Sequence, residues 1–367
     1  MEKYNFTEVV EYFGVGASSL PKSEWGKTGV YPIIGQGESY IEGWTDRGDL
    51  VVIPDSAGFI VYGGHTRRVK FVSRPFVPGP NIKILKPKSL LLGKYLYFYL
   101  IHNPVESKGY ADHFPLLRRI SVPVPSLEEQ KRSILLLEEA ELLKDKVKNV
   151  LVNMDNVIPS LFVKMFGDPE NGTNKFPVVD LNSVSIYITD GTHQPPKFIN
   201  AGIPFLFVKN IVSGKIDFNT EKFISEEVYQ ELTKKYKPDV GNILYSTVGS
   251  YGVAVEIKED RKFSFQRHIG HISPDKSKID PTFLCAQLNT PFVKKQADLR
   301  ARGVAQKTVN LQEIRKFKIV VPPIELQKKF TKLVEEIEVK KNKQKESAQK
   351  INELFSSLMS KVFYDRI

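Results

Sequence analysis

Two short patterns in the sequence have the residue types of catalysis. Pro238-Asp239 is followed by Glu256-Ile257-Lys258. Written out, this is a Pro-Asp…Glu-x-Lys arrangement, in which carboxylates hold Mg and a lysine orients water for phosphodiester cleavage. Pro238-Asp239-Val240-Gly241 also reads as a turn into a strand at Asn242, so an Mg-dependent nuclease using Asp239, Glu256 and Lys258 stands as the alternative reading. Asn289-Thr290-Pro291-Phe292 approaches the Asn-Pro-Pro-Phe/Tyr motif of adenine methyltransferases. It lacks the first proline and follows no glycine-rich cofactor loop, so it reads as a helix end. There is no Gly-x4-Gly-Lys-Ser/Thr phosphate loop and no Gly-x-Ser-x-Gly elbow. The histidines are His65, His102, His113, His193, His268 and His271; only the last two are close in sequence, with no acid cluster beside them, so hydrogen bonding rather than metal ligation is expected. The single cysteine, Cys285, excludes an internal disulfide framework and a multi-cysteine zinc site.

What remains is recognition chemistry in loops. Gly64-His65-Thr66-Arg67-Arg68 lies in the first third of the chain. Further on come Asp190-Gly191-Thr192-His193-Gln194, Ser246 to Gly252 with Ser250 and Tyr251, Gln266-Arg267-His268, and Arg302-Gly303 to Gln306-Lys307. Arginine and lysine neutralise phosphates, Arg, Gln, Asn and His read base edges, and small Gly/Ser loops let backbone amides approach phosphate oxygens. Arg67, Arg68, Arg267 and Arg302 are the strongest candidates for phosphate or guanine contacts. Each cluster taken singly reads equally well as a solvated polar loop. Their recurrence, with a net charge of +11, favours a polyanionic partner, nucleic acid or an anionic membrane surface. The start, Met1 to Phe6, has no apolar signal region, and the longest apolar stretch, Leu90 to Ile101, is broken by Gly93 and Lys94. A soluble, cytoplasmic protein is expected.

The elements that must position these loops repeat. Val124-Pro125-Ser126-Leu127-Glu128-Glu129-Gln130-Lys131 matches Val321-Pro322-Pro323-Ile324-Glu325-Leu326-Gln327-Lys328 at an offset of 197 residues. The same offset carries Leu136 to Leu333, Lys144, Lys146 and Lys148 to Lys341, Lys343 and Lys345, and Lys164-x-Phe166-x-Asp168 to Lys361-x-Phe363-x-Asp365. The order is therefore sheet segment, helix, sheet segment, helix, with boundaries at 1–122, 123–166, 167–320 and 321–367.

The first helical segment has a heptad seam at Leu136, Ala140, Leu143, Val147, Val150, Met154, Val157 and Leu161, which wants a partner helix. Ser126 ahead of Glu128 and Glu129 suits its N-terminus, and Pro159 predicts a break in the turn before it. The second carries the same frame at Leu333, Ile337, Ile351, Leu354 and Leu358, with polar Lys340, Gln344 and Ser347 between. An antiparallel hairpin of long helices with a globular domain at each end is the simplest arrangement. The two sheet segments show short β-type runs cut by Gly and Pro: 30–34, 50–53, 59–62 and 81–85 in the first, 203–208, 242–246 and 252–257 in the second. Each is followed by one helical stretch, Tyr95 to His102 and Pro281 to Asn289, and ends in a basic β-like run, 118–122 and 315–320.

On these residues the chain resembles the specificity subunits of type I restriction–modification systems: the paired helix lead-ins at 122–131 and 320–328, Asp190-Gly191-Thr192-His193, the Ser246-to-Gly252 loop and the Gly303…Gln306-Lys307 run. The resemblance covers nearly the whole chain. It implies an α+β fold, with two small β-rich target-recognition domains separated by two long antiparallel helices as a coiled-coil spacer, in a pseudo-two-fold repeat. It implies a non-catalytic DNA-binding subunit in phage defence, each domain reading half of a bipartite site. The partners implied are double-stranded DNA, two methylation subunits and restriction subunits, with no membrane role. No cofactor is implied in this chain; S-adenosylmethionine, ATP and Mg belong to the partners. A helix of about 32 residues is a rod of about 48 Å, or about 14 base pairs at about 3.4 Å each, so it can act as a ruler. The first sheet segment is shorter than the second and lacks a clear Asp-Gly-Thr-His counterpart, which leaves its contact loops harder to place.

Overall fold

The structure, a computed structural model, describes residues 2–16, 19–303 and 307–364. It divides into two compact units, Met1–Asn149 with Lys345–Ile367, and Val150–Gln344. Among the described residues no helix is long and apolar enough to cross a membrane.

The first unit begins with β1 (Glu2–Asn5), one helical turn α1 (Phe6–Val9) and β2 (Val10–Gly14). Then follow β3 (Tyr31–Ile34), β4 (Gly43–Thr45), β5 (Phe59–Gly63), β6 (Val69–Val72), β7 (Val77–Pro78) and β8 (Ile82–Pro87). Helices α2 (Gly93–His102) and α3 (Phe114–Leu117) and strand β9 (Ser121–Val124) lead to the long α4 (Leu127–Asp155). One sheet has the antiparallel order β2-β8-β5-β6; a second has the order β4-β3-β7, with β3 and β7 parallel; β1 and β9 form a ribbon.

The second unit repeats that plan with insertions. Its elements are α5 (Val157–Phe166), β10 (Val178–Asp180), β11 (Ser185–Asp190), β12 (Ile203–Leu206), β13 (Phe223–Ile224) and α6 (Glu226–Thr233). They continue with β14 (Ile243–Ser246), β15 (Ala254–Glu256), β16 (Ser264–Phe265), β17 (Ile269–Pro274) and α7 (Pro281–Leu288). The last are α8 (Pro291–Arg300), α9 (Leu311–Arg315), β18 (Lys318–Val320) and the long α10 (Ile324–Phe363). The sheet orders are β11-β17-β14-β15 and β13-β12-β16, with β12 and β16 parallel, and a β10–β18 ribbon. Matching backbone bonds recur: Phe6 N–H donates to Ile120 C=O at 3.1 Å, and Leu181 N–H to Phe317 C=O at 2.8 Å.

Three sequence expectations shift. Residues 50–53 form no strand: Gly48–Leu50 is a 3-10 turn, and Val52 makes a single bridge to Phe76 before Pro54, which has no N–H to extend a ladder. The basic runs contribute their arginines to helix ends, with strands starting only at Ser121 and Lys318. The third shift, in the helix seam, is described below.

The long helices start alike. Ser126 and Glu129 form a capping pair, with Ser126 N–H donating to the Glu129 carboxylate at 2.9 Å and Glu129 N–H to Ser126 Oγ at 3.3 Å. One turn in, a glutamine is fully buried in each helix, Gln130 and Gln327. Gln130 Nε2 donates to Leu90 and Pro125 carbonyls at 2.8 and 2.9 Å, and its Oε1 accepts from Leu92 N–H at 2.8 Å. Gln327 Nε2 donates to Lys278 and Pro322 carbonyls at 3.2 and 2.8 Å, and its Oε1 accepts from Asp280 N–H at 2.8 Å. Leu92 and Asp280 are the N-caps of α2 and α7, so each glutamine joins the long helix to the start of a domain helix. The break expected near Pro159 falls at Asn156, between α4 and α5, where proline cannot supply the next helical N–H.

Each unit's core closes on a helix from elsewhere in the chain. In the first, Met359, Val362 and Phe363 of α10 pack with Leu137 of α4 and Tyr95 and Tyr99 of α2. In the second, Phe162 and Phe166 of α5 pack with Phe330 and Val334 of α10 and Phe283 of α7. Lys144 lies over the Phe355 ring in the first unit, and Asp155 pairs with Lys341 in the second, so the two helices run antiparallel within each. The seam alternates differently from the sequence expectation. Ala140, Val147, Met154, Leu161, Ile337, Gln344, Ile351 and Leu358 are partly shielded. Leu136, Leu143, Val150, Val157, Leu333 and Leu354 are exposed, as are Lys340 and Ser347. The shielded stripe runs one residue later, through Leu137, Ile158, Val334 and Phe355.

A buried histidine gives the second unit a pH dependence. His271 on β17 is fully buried, with Nε2 2.7 Å from Asn242 Oδ1. Burial pushes its imidazole from 6.5 down to about 4. The unfolded chain therefore takes up a proton that the folded one refuses. His271's contribution is complete above about pH 6.5 and is lost as pH falls toward 4, at about 1.4 kcal/mol per pH unit. The urea midpoint of the second unit is expected to fall by the equivalent of about 2–3 kcal/mol over this window. His271→Gln is expected to flatten that slope; an unchanged slope would show that another group carries it.

Candidate nucleic-acid interface

In the second unit, strand pairing gathers the candidate loops. Asp190, the last residue of β11, pairs with Gly270, and Ser246, the last of β14, pairs with Ile269. The ends of β11 and β14 and the start of β17 therefore share one sheet edge. Asp190-Gly191-Thr192-His193, Thr247 to Gly252 and Gln266-Arg267-His268 all leave from it. Gly191 is required there: a Cβ would sit 2.1 Å from the Phe265 carbonyl oxygen. Thr192 N–H donates to Phe265 C=O at 3.1 Å, and Arg267 N–H to Thr192 C=O at 3.0 Å. Thr247 donates to His268 C=O through both N–H (3.1 Å) and Oγ1 (3.0 Å). The loop before α9 joins through Gly249 N–H to Lys307 C=O at 3.0 Å and Val309 N–H to Thr247 C=O at 2.9 Å, and Arg302 and Thr308 exchange both backbone bonds. Between these loops lies a cleft of about 320 Å³, lined by Asp190, Thr247, Arg267, His268, Thr308 and Asn310 among others.

The electrostatics of this edge are one-sided. Arg267, Arg302 and Lys307 are exposed and make no ion pair among the described residues. Cations a few residues away are neutralised: Lys294 by Asp298 at 3.4 Å and Arg300 by Glu313 at 3.4 Å. Burial, then the Arg267 charge, holds the His268 imidazole below its ordinary value, so it is neutral at pH 7 and can both donate and accept. His193 is exposed beside Asp190 at 3.2 Å, and Gln194 is exposed; Thr192 Oγ1 donates to Gln194 C=O at 2.8 Å. Ser250 is exposed, its carbonyl accepting from Ser246 Oγ at 2.8 Å. Tyr251 is turned to α8: its hydroxyl donates to Asp298 at 2.9 Å, and Lys294 lies 4.0 Å over its ring. Gln306 lies outside the described residues.

The first unit builds the same edge differently. Gly63, the last residue of β5, pairs with Ile82 at the start of β8, so Gly64-His65-Thr66-Arg67-Arg68 is the topological counterpart of Thr247 to Gly252. β2 ends at Gly14 where β11 ends at Asp190; Val15 and Gly16 follow, and Ala17 and Ser18 lie outside the described residues. Thr66 Oγ1 donates to Gln36 C=O at 2.7 Å. Arg67 is half-buried with φ +59°, and its guanidinium donates to Val105 C=O at 2.9 Å, bracing two loops. Arg68 is exposed, 3.4 Å from Glu38. Sequence reading missed His113, buried beneath this edge, whose ring and N–H both reach Gly64 C=O, at 3.1 and 2.8 Å. It also missed Tyr110, which stacks on His65. The 197-residue offset points to Tyr110, because it sets 105–110 against the candidate run 302–307; His113 falls beyond that run.

The residues of the nuclease-like pattern have separate tasks. Asp239 closes a turn, accepting from Val240 N–H at 3.0 Å while its carbonyl accepts from Asn242 N–H at 2.9 Å. Glu256 accepts from Thr282 Oγ1 at 2.7 Å, and Lys258 pairs with Glu338 on α10 at 3.0 Å. Among the described residues no three His, Cys, Asp or Glu side chains gather as metal ligands would.

Residues 1–150 and 197–354 match the family described as Type I restriction modification DNA specificity domain. The chain belongs to this family. Among curated specificity subunits, the type I restriction enzyme EcoBI specificity subunit of Escherichia coli is 30% identical over 178 residues, 47% of this chain and 37% of that protein. The MjaVIII specificity subunit of Methanocaldococcus jannaschii is 25% identical over 340 residues, covering 84% of this chain and 79% of that one. The chain thus spans well under half of the E. coli relative it matches. Two solved structures share the fold. A type I restriction-modification S subunit from M. genitalium superposes with a TM-score of 0.59 at 14% identity over 100% of this chain and 96% of its own. A chain from a structure of a type I R-M system gives 0.56 at 13% identity over 98% of each. The specificity-domain fold is therefore an α+β one, with mixed helices and sheets in two repeated domains and a long C-terminal helix.

Proposed function

We propose that this specificity-domain protein is the sequence-reading, non-catalytic subunit of a type I restriction–modification complex. Residues 1–122 and 167–320 act as target-recognition domains, each reading one half of a bipartite DNA site. The helices 123–166 and 321–367 set the gap between halves and dock two methylation subunits; restriction subunits join that assembly in the cytoplasm. S-adenosylmethionine, ATP and Mg serve the partner subunits. The observation that carries this reading is the group of cations without an ion pair among the described residues, Arg267, Arg302 and Lys307, at the sheet edge where Thr192, His193 and His268 also emerge. Cations that meet no carboxylate among the described residues, beside hydroxyl and imidazole groups, suit a phosphate backbone with base edges behind it. The family match and the curated relatives support the same reading.

Replacing residues 175–320 by the corresponding segment of another specificity subunit is expected to change one half of the methylated sequence and leave the other intact. A change in both halves, or in neither, would refute the bipartite reading. Within the original protein, a residue that touches only phosphate weakens all sequences alike and lowers the salt slope by about 1. A base-reading residue relaxes one position by about 1–3 kcal/mol. Lys307→Ala is expected to behave in the first way and Arg267→Ala in the second.

A further inference from the structure

Tyr110 in the first unit is 90% exposed, yet its surroundings are fixed. Its loop, between α2 and α3, is tied to the β5–β6 loop at three points. Arg67 donates to Val105 C=O at 2.9 Å; His113 joins Gly64 C=O to Lys108 N–H, which lies 3.0 Å from its Nε2; and the Tyr110 ring stacks on His65, with centroids 5.1 Å apart and planes inclined by 27°. With Nε2 accepting, His113 carries its proton on Nδ1 and donates it to Gly64, so a neutral histidine closes the brace. The tyrosine ring lies alongside His65 and leaves nine-tenths of the residue open to solvent. Counted along the sequence, the 197-residue offset sets Tyr110 against Lys307, a cation without an ion pair among the described residues.

We propose that Tyr110 is a base-stacking specificity residue: its exposed ring receives a base from an opened step of the half-site read by the first unit, extending the His65–Tyr110 pair to three rings. This rests on the DNA-reading function proposed above. In an intact duplex both faces of every base are covered by neighbours, so a ring offered flat finds a partner only where a step is unstacked or a base has left the helix. Such unstacking is what base methylation by a partner enzyme requires. The first unit would then recognise its half-site partly by how easily that step opens, and the second unit more by charge and hydrogen bonding.

The test uses the full chain co-expressed with the methylation subunits. Bound sequences are selected from a pool of random duplexes, and 2-aminopurine is then placed at each position of the selected half-site in turn. The native complex is expected to show a fluorescence change at one position of the half-site that survives replacement of residues 175–320. Tyr110→Ala and Tyr110→Leu are expected to lose that change and to bind about 10-fold or more weakly, because leucine supplies apolar area without a plane. Tyr110→Phe is expected to keep both, and the salt slope is expected to stay constant in all three, since no charge is removed. Native-like binding by Tyr110→Ala, full rescue by leucine, or no fluorescence change in the native complex would overturn the stacking role alone. A native complex that selects no sequence at all would instead overturn the function on which it rests.

Discussion

A chain cut after Gln344 is expected to keep its second unit folded and to lose its first. The removed segment carries Met359, Val362 and Phe363, 1%, 4% and 2% exposed, in the core of the first unit, together with Tyr95, Tyr99 and Leu137. Truncating one such residue costs about 2–5 kcal/mol in a well-packed core. Losing three at once, and exposing what they cover, removes most of the roughly 5–15 kcal/mol that holds a domain together. None of the deleted residues belongs to the main core cluster of the second unit. Limited proteolysis should therefore degrade residues before about 150 and leave a resistant fragment over 150–344. A first unit that still resists protease after the cut would show that its core does not depend on α10. Phe363→Ala is the milder version, with a loss of about 3–5 kcal/mol confined to the first unit.

Substituting either buried glutamine by leucine is expected to lower the stability of its own unit by about 3 kcal/mol or more. The side chains are close in volume, so the loss comes from stranded backbone groups rather than a cavity. Gln327→Leu leaves Asp280 N–H, Pro322 C=O and Lys278 C=O without their bonds to a fully buried side chain, the Pro322 carbonyl in a buried setting and the other two in part-buried ones. Each buried polar group left unmet costs about 1–3 kcal/mol. Gln130→Leu does the same to Leu92, Leu90 and Pro125 in the first unit. Urea titrations followed separately in the two units, with tryptophan reporting the first through Trp25 and Trp44, would check that each variant moves only one transition. A neutral result at both positions would mean that the helices are attached by packing alone.

Much of this architecture is legible in the sequence because it depends on local rules. The Pro-x-x-Glu-x-Gln-Lys lead-ins, the Ser126 cap and the proline break are each decided by a few neighbouring residues, and the structure has them where the chemistry places them. The heptad frame is different. Leu135, Leu136 and Leu137 are consecutive, as are Leu142 and Leu143, so two stripes one residue apart both satisfy the spacing. Which of them turns inward is settled by the partner helix, and residue spacing contains no term for that. The loops are harder for a similar reason. Tyr251 and Arg67 have the composition of nucleic-acid contacts, but Asp298 and Val105 engage them, 47 and 38 residues away. Arg267, Arg302 and Lys307 look no different in sequence, and only the fold reveals that no acid among the described residues pairs with them. The Asp239, Glu256 and Lys258 pattern fails the same way, its spacing matching a nuclease while each side chain has other company.

The outward stripe on the long helices has a consequence for assembly. In the first unit α4 shows solvent Leu135, Leu142 and Leu143, at 64%, 56% and 49% exposure. The positions that the repeat sets against them on α10, in the second unit, are Lys332, Val339 and Lys340. The first face offers three leucines at these positions and the second a valine between two lysines. The repeat of the backbone therefore does not carry over to the chemistry of this face. If partner subunits dock on these helices as proposed, contact through the leucines of α4 is expected to be less sensitive to ionic strength than contact through the lysines of α10.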